Sequence, residues 1–196
     1  GVDVEYFTPP SAPPEPRSGL VFVGSMDWLP NIDGMRFFHR QILPLIRKQA
    51  PGCRLTIVGR SPDAEIRQMA ERDPMIEVTG TVPDVRPYLW RAAVSIVPLR
   101  IGGGTRMKIY EAMAARAPVV STTVGAEGLR IDPPSDIRIA DQPEAFAAQC
   151  LDLLRRPEAA HEQAQRAWFM VSSNFGWQRV AEQFETVLHS SLRVPA

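Results

Sequence analysis

The chain has 196 residues, enough for one domain of ordinary size with a sizeable core. Lysine plus arginine and aspartate plus glutamate both total 22, so the formal net charge is +0, and with no basic cluster this argues against a nucleic-acid partner. Hydrophobic content is 44%, usual for a globular protein, and no apolar run approaches the ~20 residues that span a bilayer. The start, GVDVEYF, lacks the charged beginning and apolar core of a secretory leader. Cys53 and Cys150 have no motif spacing, which reads as two reduced cysteines in a cytoplasmic protein.

Thr8 to Ser18 is rich in proline and reads as an extended linker, so residues 1–18 are expected to form a hinge. A chain that begins this way looks like the second part of something longer. Leu20 to Val23 is a continuous apolar run ending at Gly24, as suits a strand buried on both faces. After the loop Ser25 to Asp33, apolar residues at helical spacing (Met35, Phe38, Ile42, Leu45, Ile46) predict a helix to Gln49. Leu55 to Val58 is the second buried run, followed by Gly59. Ala64 to Arg72 reads as a helix, Ile76 to Thr79 as a strand closed by Gly80, and Val85 to Ala92 as a short helix. Val94 to Val97 leads into a glycine loop. Val119 to Thr122 and Ile137 to Ala140 are the last expected strands. Helical patterns follow around Phe146 to Leu154, over His161 to Ser173, and from Gly176 to about Leu192.

Strands alternating with helices predict an α/β fold: a Rossmann-like, parallel six-stranded sheet with helices on both faces and C-terminal helices beyond it. The expected division is a Rossmann-like domain over 19–175 and a final helical segment over 176–196. Ligands of such sheets sit beyond the carboxyl ends of the strands. Gly24, Gly59, Gly80 and the triplet Gly102-Gly103-Gly104 all fall at those ends.

The triplet opens the stretch IGGGTRMKIYEAMAARAPVVST, where a glycine loop runs into a helix and the helix into a buried strand. Open backbone N–H groups at a helix start, with the helix dipole, favour an anion. Arg106 and Lys108 are expected in the first turn, where the dipole disfavours cations. A bound anion would reverse that balance. Lys108 and Glu111 share a helix face, and Gly104 lies seven residues before Glu111 on roughly the same stripe. Amides, then a cation, then a carboxylate suit a ligand with phosphates at one end and hydroxyls at the other, such as a nucleotide sugar.

Other chemistries lack their signatures. No G-x-G-x-x-G follows the first strand, so a nicotinamide cofactor is not expected, and the glycine loop lacks the G-K-[ST] ending of a P-loop. There is no H-E-x-x-H, cysteine cluster, D-x-D or G-x-S-x-G. His39, His161 and His189 lie in helical stretches away from the strand ends and read as surface or boundary residues.

From Gly1 to about Leu192 the chain resembles the carboxyl-terminal half of the "group 1" retaining glycosyltransferases, which have two Rossmann-like domains facing across a cleft (the GT-B fold). The blocks LVFVGSMDWLPNIDG, LTIVGR, VTGTVPDVRPYLWRAAVSIVPL and GGGTRMKIYEAMAARAPVVSTTVGAEGL carry the resemblance in that order. It implies that Glu111 is the second glutamate of the family's paired-glutamate pattern and binds the ribose hydroxyls of the donor. Arg106 and Lys108 would neutralise the diphosphate and act in catalysis. Gly103, Gly104 and Thr105 would let the donor approach the backbone. Thr81 and Val82 would border the base, and Gly24 and Ser25 would floor the phosphates.

Two departures stand out. The pattern's first glutamate belongs eight residues before Glu111, where this chain has Gly103. The loop after the first strand, which usually supplies an arginine and a lysine, reads Ser25, Met26, Asp27, Trp28, with Asn31 further on. Arg106 and Lys108 are therefore expected to take over the phosphates, and Trp28 to pack the loop rather than stack on a substrate.

The implied activity is glycosyl transfer with retention, without a metal or other cofactor, from a nucleoside-diphosphate sugar of UDP or GDP type. An amino-terminal domain of the same enzyme would bind the acceptor. The expected location is the cytoplasm, compatible with peripheral association of the whole enzyme at the inner membrane surface. The final helix would cross to the other domain, leaving Trp177 and Phe184 exposed. Two alternatives stay open: a non-catalytic nucleotide-binding module, suggested by Gly103, and half of a nucleotide-sugar epimerase, against which the EAMAARAPVVST block argues.

Overall fold

Short runs of β-branched and large apolar residues cannot hide one face in a helix this small, so they pair. In the computed structural model, which describes residues 1–10 and 16–192, they form a single parallel sheet: β1 (Leu20–Val23), β2 (Leu55–Val58), β3 (Ile76–Gly80), β4 (Val94–Val97), β5 (Val119–Ser121) and β6 (Arg138–Ile139). The strand order is β3-β2-β1-β4-β5-β6. The central strands β1, β2 and β4 are almost wholly buried, as expected where helices cover both faces. The last two strands are shorter than their apolar runs suggested. Thr122 and Ile137 lie just outside the paired stretches.

One face is covered by α2 (Leu29–Phe37), a π-helical turn (Phe38–Ile42), α3 (Leu43–Gln49), α4 (Ala64–Arg72) and α7 (Pro143–Arg155). The rings of Phe38 and Phe146 meet there edge to face at 6.0 Å. The other face carries α6 (Met107–Ala114), α8 (Pro157–Asn174) and the short α1 (Val4–Phe7). The connection α5 (Arg86–Arg91) ties to α1, since Trp90 donates from its indole to the carbonyl of Phe7 at 2.8 Å.

Helix starts differ from the apolar periodicity in a consistent way. The helix expected from Asp33 begins at Leu29, and the one expected from His161 begins at Pro157. In both cases a proline stands in the first two helical positions, where its missing N–H is no loss and its φ is already helical. Pro44 acts within the first of these helices. It cannot donate to the preceding turn, and the chain widens into the π turn just before it, with the N–H of Leu43 reaching the carbonyl of Phe38.

The first eight residues, expected as a hinge, are packed on the domain. Val2 is 2% exposed and bridges to Gly176. Trp168 donates to the Thr8 hydroxyl at 2.9 Å. The prolines of 11–15 and the end of the expected final segment, 193–196, lie outside the described residues. The final helix, α9 (Trp177–Leu192), keeps Trp177 and Phe184 exposed, as expected, and leaves Val187 and Leu188 exposed beside them.

The ends of β1 and β2 approach so closely that side chains do not fit between them. A Cβ on Gly59 would lie 1.8 Å from the carbonyl oxygen of Gly24. Gly59→Ala must part the two strands. We expect it to destabilise the fold by about 3 kcal/mol or more, read as a lowered denaturant midpoint.

Candidate functional site

Gly24 ends β1, and the chain turns at once into the loop that starts α2. The first turn of α2 delivers Asn31, which is 2% exposed. Its amide donates to the carbonyl of Ser25 at 2.7 Å. Its Oδ1 accepts from the ammonium of Lys108 at 2.7 Å. A lysine can only donate, so this pairing fixes which way the amide points. Lys108 comes from the first turn of α6, beyond β4, the strand beside β1. Its Nζ lies 4.6 Å from the centre of the Phe22 ring, and a Cβ on Gly24 would approach it to 2.8 Å. Any side chain there would push the ammonium and the Asn31 amide out of place.

Burial pushes the pKa of Lys108 down from the ordinary 10.5 to about 8, against the attraction of Glu111. Glu111 stands one turn further along the same face, as its spacing predicted. Burial raises its pKa, and Lys108 pulls it back. Among the described residues no group donates a hydrogen bond to its carboxylate. An acceptor-only group, half-buried with open lone pairs, is suited to a diol.

Helix α6 starts at Met107, so Arg106 is its N-cap rather than a first-turn residue, and Gly104 lies outside the helix rather than on its Glu111 stripe. The N-cap makes no side-chain hydrogen bond to the helix start. Arg106 itself turns inward and is 3% exposed. It donates to the carbonyls of Gly102 at 2.8 Å and Gly103 at 3.2 Å, with the Glu127 carboxylate 3.9 Å away. It thereby holds the glycine loop from beneath. The outer side of that loop is open: a Cβ on Gly103 or Gly104 would meet nothing within 4 Å, and Thr105 is exposed.

The structure thus joins Gly24, Ser25, Asn31, Lys108 and Glu111 at one corner, with Gly103, Gly104 and Thr105 along its rim. Thr81 and Val82 follow the edge strand β3 on the same side of the sheet, separated from β1 by β2. Trp28, the N-cap of α2, does not pack the loop and is 43% exposed. Sequence reading passed over Asn31 as a ligand of Lys108. Its neighbours in the first turn are the exposed Leu29 and the half-buried Ile32, so no apolar pattern marked it.

A family model described as "Glycosyl transferases group 1" matches residues 17–156. Among curated proteins, the chain is 28% identical over 194 residues to a glycogen synthase of Mycobacterium tuberculosis, covering 92% of this chain and 45% of that protein. It is 21% identical over 168 residues to an uncharacterized 44.6 kDa protein in the cps region of Klebsiella pneumoniae, covering 82% and 43%. The chain therefore spans less than half the length of the curated relatives it matches. Among solved structures, the C-terminal domain of a group 1 family glycosyl transferase from Francisella tularensis superposes with a TM-score of 0.73 at 17% identity, over 90% of this chain and 100% of that one. Sucrose-phosphate synthase from Thermosynechococcus elongatus gives 0.77 at 20%, over 98% and 51%. The Anabaena protein HepE in complex with UDP gives 0.78 at 14%, over 97% and 56%.

Lys108 has a testable thermodynamic signature. With its pKa near 8 in the folded chain and 10.5 when unfolded, the unfolded state binds more protons between those values, so stability rises with pH across that window. Melts of wild type and Lys108→Met from pH 7 to 10.5 should show wild type gaining on the variant by on the order of 3 kcal/mol. A constant difference would mean that the ammonium is solvated.

Proposed function

The chain belongs to the group 1 glycosyltransferases, and from that premise we propose that it is the donor-binding half of an enzyme that moves a sugar from a nucleoside diphosphate to an acceptor with retention. One observation carries this reading. Lys108 holds a largely buried positive charge at the strand ends, with no anionic hydrogen-bond partner among the described residues, one turn from a carboxylate with open lone pairs. A diphosphate over Gly24 and Ser25 would offset the ammonium and accept from the uncapped amides at the start of α6. The ribose hydroxyls would donate to Glu111, and the open glycine rim would admit the sugar. Thr81 and Val82 would border the base.

Charge grows on the diphosphate as its bond to the anomeric carbon breaks. Lys108 and the amides of α6 would stabilise that charge where it develops, without a metal. Arg106 would act at second hand, by holding the loop that presents Gly103 and Gly104. The acceptor would lie on an amino-terminal domain of the same enzyme, so this chain alone binds donor and transfers nothing. A cytoplasmic location fits nucleotide-sugar donors, and no helix among the described residues is long and apolar enough to cross a membrane. Peripheral association of the whole enzyme is compatible with that.

Titration calorimetry with UDP and GDP tests the reading. One of them binds, and Lys108→Ala weakens it at least about tenfold, the worth of one charge-assisted contact. If neither binds, the donor reading is wrong. Glu111→Gln should weaken the ribonucleotide more than its 2′,3′-dideoxy analogue.

The pH dependence follows from Lys108. Its pKa is near 8 in the free chain and is raised by a bound diphosphate, so binding takes up a proton above that pH. Affinity is full below pH 8 and falls as pH rises beyond it. The Lys108→Met variant should lose this slope.

A further inference from the structure

A diphosphate needs more positive charge than Lys108 supplies, since Glu111 stands one turn away. Arg106 uses its guanidinium on the carbonyls of Gly102 and Gly103. The loop between β1 and α2 carries no cation. Arg60 stands on the other side of that loop, directly after Gly59 at the end of β2. The N–H of Met26 donates to its carbonyl at 2.9 Å, which registers its backbone against the loop. Its Nε donates to the Ser25 hydroxyl at 2.8 Å, and that hydroxyl donates to Asp27 at 2.6 Å. The Asp27 carboxylate lies 3.8 Å from the same Nε. Neither Nη of Arg60 has a partner among the described residues, and the side chain is 68% exposed. A guanidinium pinned through Nε presents its two Nη groups as an open fork, the geometry that takes two oxygens of a phosphate.

The strand order β2-β1-β4 sets Arg60 and Lys108 on opposite sides of the Gly24–Ser25 corner. We infer that Arg60, held by Ser25, is the second cation of the diphosphate site, so that the anion bridges the corner between Arg60 and Lys108. The inference rests on the donor reading above. In this chain the loop after β1 supplies no cation and instead positions one from β2.

Calorimetry with UDP and GDP on the whole chain tests it, using Arg60→Ala, Arg60→Lys and Arg67→Ala. Arg67 is an exposed arginine on α4 whose loss changes the net charge equally. Arg60→Ala should weaken the diphosphate about tenfold or more and flatten the salt dependence of binding, with Tm unchanged. Arg60→Lys should recover part of the affinity, and Arg67→Ala should match wild type. If Arg60→Ala matches Arg67→Ala while Lys108→Ala still weakens binding, this inference falls and the donor reading stands. If wild type binds neither nucleotide, both fall.

Discussion

A largely buried ammonium beside a bare glycine sets the terms for this domain. Lys108 has one neutral amide oxygen, one aromatic face and the field of Glu111 to replace water. That is enough to keep the group in place and too little to keep its pKa at the ordinary value. Three elements must meet for this to hold: the end of β1, the first turn of α2 and the first turn of α6. Asn31 links all three, since one side-chain amide binds both the loop carbonyl and the ammonium. A site that leaves a cation undercompensated in the free chain gives up stability that an anion restores on binding.

The arginines around this corner divide according to what surrounds them. Arg106 lies next to carbonyls that the positive backbone angles of Gly102 and Gly104 turn inward, and a guanidinium with several donors can satisfy more than one of them at once. Its charge is thereby committed to the shape of the loop. Arg100 is paired with Asp33. Arg60 meets the Ser25 hydroxyl and, at 3.8 Å, the Asp27 carboxylate, both through Nε, which orients it without using up its fork. Residue type and position along the chain do not separate these three roles; the acceptors each one encounters do.

Much of the frame was legible in the residues. Apolar runs ending in glycine marked β1 and β2, because burial on both faces leaves no place for alternation. The shared face of Lys108 and Glu111 followed from helical spacing alone. Helix starts were less legible at Pro30 and Pro157, where proline begins a helix that apolar spacing detects only a turn later. Trp28, expected to pack the loop rather than stack on a substrate, is exposed at the N-cap of α2.

The sequence by itself therefore determined the parallel sheet, the glycine-lined edge at its strand ends, and the cation–carboxylate face that opens onto it. These depend on periodicity and on neighbours a few residues apart. Only the tertiary structure decided that Arg106 turns under its loop, that Asn31 becomes the partner of Lys108, and that Arg60 stands over Ser25. Those outcomes depend on which carbonyls, hydroxyls and rings are carried to the same corner by strands far apart in the chain, and a local pattern holds no record of them.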